Sequence, residues 1–204
     1  MSAADTVRAS QAGDLLLVQL DNPCGFPRLT RAVLEELHRR LDATRQAPAI
    51  RAVVITGTEK CFAAGADLAE VAALSASEAL CFSALGQSLM RKIEQHAKPV
   101  VAAICGYCLG GGLDLALACH LRVASSDATF GHPGAGLGIL TGWGGTQRLP
   151  RAFAARGRAQ AFEMLVTGRS ITADEAYARG LVNRIVPPEQ VLETALAIVR
   201  GAML

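Results

Sequence analysis

Apolar residues fall along the chain in two patterns, unbroken runs and repeats every three or four positions, and the alternation of the two predicts most of the elements. The run Leu-Leu-Leu-Val-Gln-Leu over 15–20 stops at Asp21-Asn22-Pro23, which reads as a strand followed by a turn. Thr30 then offers a helix cap, and Val33, Leu34, Leu37 and Leu41 share one face of a helix reaching about residue 46. A β-branched strand over 52–55 is closed by Thr56-Gly57. Beyond a glycine-bearing loop, the spacing of Leu80, Phe82, Leu85, Leu89 and Ile93 predicts a helix of roughly twenty residues, those side chains inward, ending near His96. A buried strand over 100–104, a loop over 106–112, a short apolar helix over 113–119 and a strand over 121–124 follow. Past Asp127, glycine-rich turns alternate with helices over about 145–155, 158–166, 172–178 and 188–200. Strands alternating with helices point to an α/β fold in which helices cover sheets. The expected organisation is one domain over residues 1–204, with a strand-rich core over about 15–155 and a helical part over 156–204.

Composition narrows the function classes. With 51% hydrophobic residues, 19% charged and a net charge of +2, the chain is not disordered, a state that needs low hydrophobicity and high charge. No basic stripe with interleaved aromatics suggests a nucleic-acid partner. Every apolar stretch is broken before the ~20 residues a membrane span requires. Residues 1–13 include Asp5 and no apolar segment, so no signal peptide is expected there. Six cysteines are too sparse for a disulfide scaffold and suit a reducing compartment, so a cytoplasmic location is expected.

Several common chemistries lack their motifs. None of Lys60, Lys92 and Lys98 follows a glycine, which removes a phosphate-binding P-loop, and no glycine cluster has dinucleotide spacing. No histidine opens a zinc-protease motif and no serine sits in a nucleophile elbow. Cys105-Gly106-Tyr107-Cys108 has the spacing of a redox dithiol, and Cys119-His120 could add two zinc ligands. A redox thiol, however, is activated at a helix start, whereas Cys105 ends an apolar strand. Small buried cysteines are the simpler reading, and no metal site is expected.

The twenty glycines cluster in two loops after two apolar strands. One is Cys61-Phe62-Ala63-Ala64-Gly65-Ala66-Asp67-Leu68, and the other is Gly106-Tyr107-Cys108-Leu109-Gly110-Gly111-Gly112-Leu113-Asp114. Residues this small let another molecule approach the backbone. A helix beginning near Gly111–Gly112 leaves unpaired amides aimed outward with the positive end of its dipole behind them. Two such amides, one from each loop, could hold an oxygen that gains negative charge during a reaction. The competing reading is that the glycines only let helix and strand pack closely.

These loops, with Lys98-Pro99 ahead of the second strand, Gly144-Gly145-Thr146-Gln147-Arg148-Leu149-Pro150, Leu165-Val166-Thr167-Gly168-Arg169 and Gly180-Leu181-Val182-Asn183-Arg184, resemble the crotonase superfamily, the enoyl-CoA hydratase/isomerase group. The motifs run in order from about residue 15 to 189. The resemblance implies an α/β spiral of ββα units of the ClpP/crotonase type with a helical C-terminal part, binding acyl-CoA thioesters. It places the two oxyanion-hole amides on Ala66 and Gly111 and a catalytic carboxylate on Asp114. It implies contacts to substrate and coenzyme A from Ala64, Gly65, Asp67, Leu68, Gly110, Pro133, Gly134 and Gly142. It calls for no cofactor beyond the coenzyme A of the substrate, and it implies a homo-oligomer, a trimer or hexamer.

The chain departs from that pattern at chemically telling positions. Hydratases of the group hold a water molecule between two glutamates. The first falls on Asp114, one methylene shorter, and the second on Gly134, which has no side chain. One carboxylate is enough for a double-bond shift or a decarboxylation through a stabilised enolate. Another reading lets His132 substitute, although strand alternation places it off the expected face. A third is a catalytically silent acyl-CoA-binding subunit. Thr141 and Trp143 replace a proline and a small residue; Trp143 could narrow the acyl pocket or simply pack in the core. Residues 22–26 lack the asparagine-containing stretch that helps seat coenzyme A. Residues 201–204 leave little room for further helices, so a short member or a site completed by a neighbouring subunit is expected.

Overall fold

The computed structural model describes residues 4–153 and 157–201; the expected end of one helix at residue 155 lies outside them. Two sheets share the strands. The larger has six, built from β1 (Thr6–Ala12), β2 (Leu15–Asp21), β3 (Ala52–Thr56), β5 (Val100–Ile104), β7 (Leu121–Ser125) and β10 (Arg184–Val186) in the order β1-β2-β3-β5-β7-β10. β1 and β2 are antiparallel, and the register from β2 to β10 is parallel throughout. The smaller sheet has the order β4-β6-β8-β9, from Cys61–Ala63, Tyr107–Leu109, Thr129–Gly131 and Ile171–Thr172. Three times the chain runs from a strand of the large sheet to one of the small sheet and then into helix. β3 and β4 lead to α2 (Leu68–Ala72) and α3 (Ala76–Glu94), β5 and β6 to α4 (Gly111–Ala118), and β7 and β8 to a 3-10 turn at Pro133–Leu137 and α5 (Gly145–Ala152). This is the expected spiral of ββα units.

The unbroken apolar runs are explained by burial on both faces of a parallel sheet. Val53, Ile55, Val100, Ala102 and Ile104 face the main core, between the sheets and α1 (Arg31–Gln46), α3 and α4. Their neighbours Ala52, Val54, Val101 and Ala103 face the other way, onto α8 (Val191–Gly201) through Val191, Ala195 and Val199. Thr30 caps α1 through Val33 N–H, as the sequence suggests, and Ser75 with Glu78 forms a capping box at the start of α3. α6 (Arg158–Thr167) and α7 (Ala173–Ala178) follow α5, the second capped by Thr172 and Glu175.

The structure corrects several expectations. Leu80 is 74% exposed, because it lies two residues, roughly 200° of helix, from the inward Phe82. The predicted loop over 106–112 contains β6 and the first turn of α4. The part expected to be helical carries β9 and β10, which complete the two sheets. These strands are two or three residues long, too short to show a period, and exist through their pairing. Among the described residues no helix is long and apolar enough to cross a membrane.

Candidate active site

The small sheet delivers its strands to one side of α4, and the loops leaving them form a cavity of about 290 Å³. Each loop is shaped by a glycine that a side chain could not replace. Gly65 has φ 103°, and its carbonyl accepts Leu29 N–H at 2.8 Å. Gly110, the residue before α4, has φ 53° and ψ −122°. The loops touch: a β-carbon on Gly65 would lie 3.2 Å from Gly111 N. The first intrahelical bond of α4 runs from Asp114 N–H to Gly110 O, so Gly111 N–H precedes the ladder. Among the described residues neither the Ala66 nor the Gly111 amide donates to a main-chain carbonyl.

Ala64, Gly65, Ala66, Leu68, Gly110, Gly111, Asp114, Pro133, Gly134 and Gly142 all line the cavity. Asp67 is outside that lining. Its carboxylate caps α2, accepting from Ala69 N–H at 2.8 Å, and pairs with Arg28 at 2.8 Å, while Arg28 also holds Asp5 at 2.9 Å. Asp67 therefore anchors the loop that carries Ala66.

Among the described residues Asp114 is the only carboxylate on the cavity wall, and it is 1% exposed. Burial pushes its pKa up to about 6, against the opposing pull of a hydrogen bond from Thr141 Oγ1 to Oδ2 and the charge of Arg148. The amides of Trp143 and Gly145, at the start of α5, also favour the ionised form without closing a bond to Oδ1, which has no partner. Across from Oδ1, at 3.7 Å, stands His132 Nε2. His132 is 4% exposed, neither ring nitrogen has a hydrogen-bond partner, and burial alone pushes its pKa down to about 4. The alternation argument that placed His132 off this face fails because β8 ends at Gly131. At His132 the backbone has left the strand, with φ −118° and ψ 69°.

Gly134 presents only backbone here; a β-carbon on it would sit 3.1 Å from Ile139 O. Trp143 both packs in the core and lines the cavity. The buried indole packs edge-on to Phe82, with ring centres 5.4 Å apart, and also forms part of the cavity wall. It lies so close that a β-carbon on Gly86 or Gly111 would collide with it. Gly145 was not singled out from the sequence. A β-carbon there would collide with Asp114 Oδ1 and lie 2.9 Å from His132 Nε2, so this glycine makes room for both side chains.

Residues 10–203 match the enoyl-CoA hydratase/isomerase family. The chain belongs to that family. It is 45% identical over 179 residues to the crotonyl-CoA hydratase of Syntrophomonas wolfei, covering 87% of this chain and 68% of that protein. It is 38% identical to the short-chain-enoyl-CoA hydratase of Clostridium acetobutylicum, over 95% of this chain and 74% of the other. Its fold superposes on the enoyl-CoA hydratase of Bacillus anthracis with a TM-score of 0.89 at 36% identity, covering 96% of this chain and 75% of that one. In this hydratase/isomerase family member the six cysteines are free thiols. Cys105 is half-buried and Cys108 fully buried, and burial raises both thiol pKa values, the reverse of an activated redox pair. Among the described residues no three His, Cys, Asp or Glu side chains gather in a metal-binding arrangement.

Proposed function

We propose that this family member acts on an acyl-CoA thioester, with the thioester oxygen held by the Ala66 and Gly111 amides and a proton moved by Asp114. The observation that carries this reading is one buried carboxylate set into the cavity where the two glycine loops meet. Removing a proton beside a thioester carbonyl sends negative charge onto its oxygen. Fixed amide donors at a helix start stabilise that charge without reorganisation, and losing one such donor typically costs about 3–4 kcal/mol. No metal or redox cofactor is needed for that step. A carboxylate with a pKa of about 6 is a stronger base than an ordinary aspartate and still ionised near neutrality.

Gly134 favours a double-bond shift within the hydratase/isomerase range. Asp114 takes a proton from the carbon between the thioester carbonyl and the double bond and returns it to the far carbon of that double bond, so a single carboxylate closes the cycle. We further propose that residues 64–68 seat the coenzyme A arm, that the protein works in the cytoplasm and that it self-associates as a trimer or hexamer. Light scattering giving a multiple of 21.3 kDa would test the last point.

The deciding assay offers crotonyl-CoA and a 3-enoyl-CoA to wild type and Asp114→Ala. Turnover of the 3-enoyl ester that disappears in the variant is the expected result, with hydration of crotonyl-CoA weak. Binding of both esters without turnover would instead establish a silent acyl-CoA-binding subunit. Turnover that survives Asp114→Ala would remove Asp114 from its role.

A further inference from the structure

The proton-moving role of Asp114 leaves one buried polar side chain unused. His132 shares the cavity wall with Asp114, and both its ring nitrogens lack partners. A neutral imidazole shut away from water with no hydrogen bond is costly unless something completes it. The nearest candidate is Asp114 Oδ1, itself unpartnered, at 3.7 Å from Nε2. The other oxygen, Oδ2, already accepts from Thr141. Gly145 leaves the gap between imidazole and carboxylate free of any side chain.

We propose that His132 is the positioning residue of this site, donating Nε2–H to Asp114 Oδ1 so that imidazole and Thr141 hydroxyl hold the carboxylate from its two oxygens. At 3.7 Å the two atoms stand just beyond hydrogen-bond reach, and a slight turn of either side chain, with no Gly145 side chain in the way, closes the bond. Two-point support suits a base that is one methylene short and has no second acidic side chain opposite, because a displacement of about 1 Å can cost about 100-fold in rate. The imidazole acts through the carboxylate: its Nε2 faces Oδ1, and both of its nitrogens are enclosed. The inference rests on Asp114 being the group that moves the proton.

Two variants and two spectra test it, with Thr141 intact throughout. His132→Leu should lower kcat by about 10- to 100-fold and leave KM within about threefold. Without the donor the carboxylate is less favoured, so the acid limb of the kcat profile should move to higher pH. The titratable or charged groups facing Asp114 besides His132 are Arg148 and the Cys108 thiol, and neither is altered. His132→Gln, which carries a donor at nearly the same reach, should restore kcat to within about threefold of wild type. Unchanged kcat in His132→Leu, or an equal loss in both variants, overturns the proposal, the second because it shows space-filling alone. In wild type, nitrogen-15 spectra should find the Nε2–H tautomer; the Nδ1–H tautomer overturns the pairing whatever the variants do. The carbon-13 titration of Asp114 should shift upward in His132→Leu, and an unmoved midpoint also overturns it. The two spectra are read without turnover, so a wild type inert toward both esters sinks the enzyme reading while the pairing is still decided.

Discussion

Asp114 and His132 are displaced from their ordinary pKa values in opposite directions, and the consequence for stability can be worked out residue by residue. Asp114 rises from 3.8 to about 6, so its contribution to stability is complete below pH 3.8 and lost as pH rises through about 6. His132 falls from 6.5 to about 4, so its contribution is complete above pH 6.5 and lost as pH falls through about 4. Each amounts to about 3 kcal/mol, and in wild type the two nearly offset one another across that window. Asp114→Asn should therefore lose stability relative to wild type on acidification from pH 6.5 to 4, whereas His132→Leu should gain it; urea unfolding at several pH values measures both. Turnover should fall on the acid side with a midpoint near pH 6, as Asp114 takes up a proton. Gly145→Ala should abolish turnover, because the methyl group would occupy the space shared by Oδ1 and Nε2. Asp114 was legible from the family resemblance of its glycine loop, but its partner was not. The pairing depends on the local turn at His132, which no alternation rule describes.

At the scale of the element, α4 decides whether the two loops meet. Apart from Gly111, every residue of this helix is buried, and Arg122 holds its C-terminal end by donating to Ala116 O at 3.2 Å and Cys119 O at 2.7 Å. Gly112 lies against the Ala63 carbonyl so closely that a β-carbon would strike main chain, which cannot swing aside. Gly112→Ala should cost about 1–3 kcal/mol and move Gly111 N–H away from Ala66, lowering kcat more than binding. Gly136→Ala is the control: a β-carbon there meets nothing within 4 Å, and stability should change by less than about 0.5 kcal/mol. The long helices and four of the strands of the large sheet were readable from periodicity and unbroken apolar runs. β4, β6 and β8 were not, and these are the strands that carry the chain to the site.

Across the molecule, the large sheet separates two cores, and among the described residues α8 supplies the helical cover of the second one. Ala195 sits in that layer with no exposed surface, so Ala195→Glu should destabilise the protein by about 3 kcal/mol or more, read as a fall in Tm. Sequence by itself determined the α/β class, the four strands β2, β3, β5 and β7, the two glycine loops and the carboxylate of Asp114 at the end of the second loop. Those features are local, being patterns of size, polarity and backbone freedom within a few residues. Tertiary structure alone decided that His132 faces Asp114, that Gly145 leaves them room, that Trp143 both packs and lines the cavity, and that three-residue strands exist. Each of these is a contact between segments far apart in the chain, and a contact of that kind has no energy, and leaves no pattern, until the fold brings its two sides together.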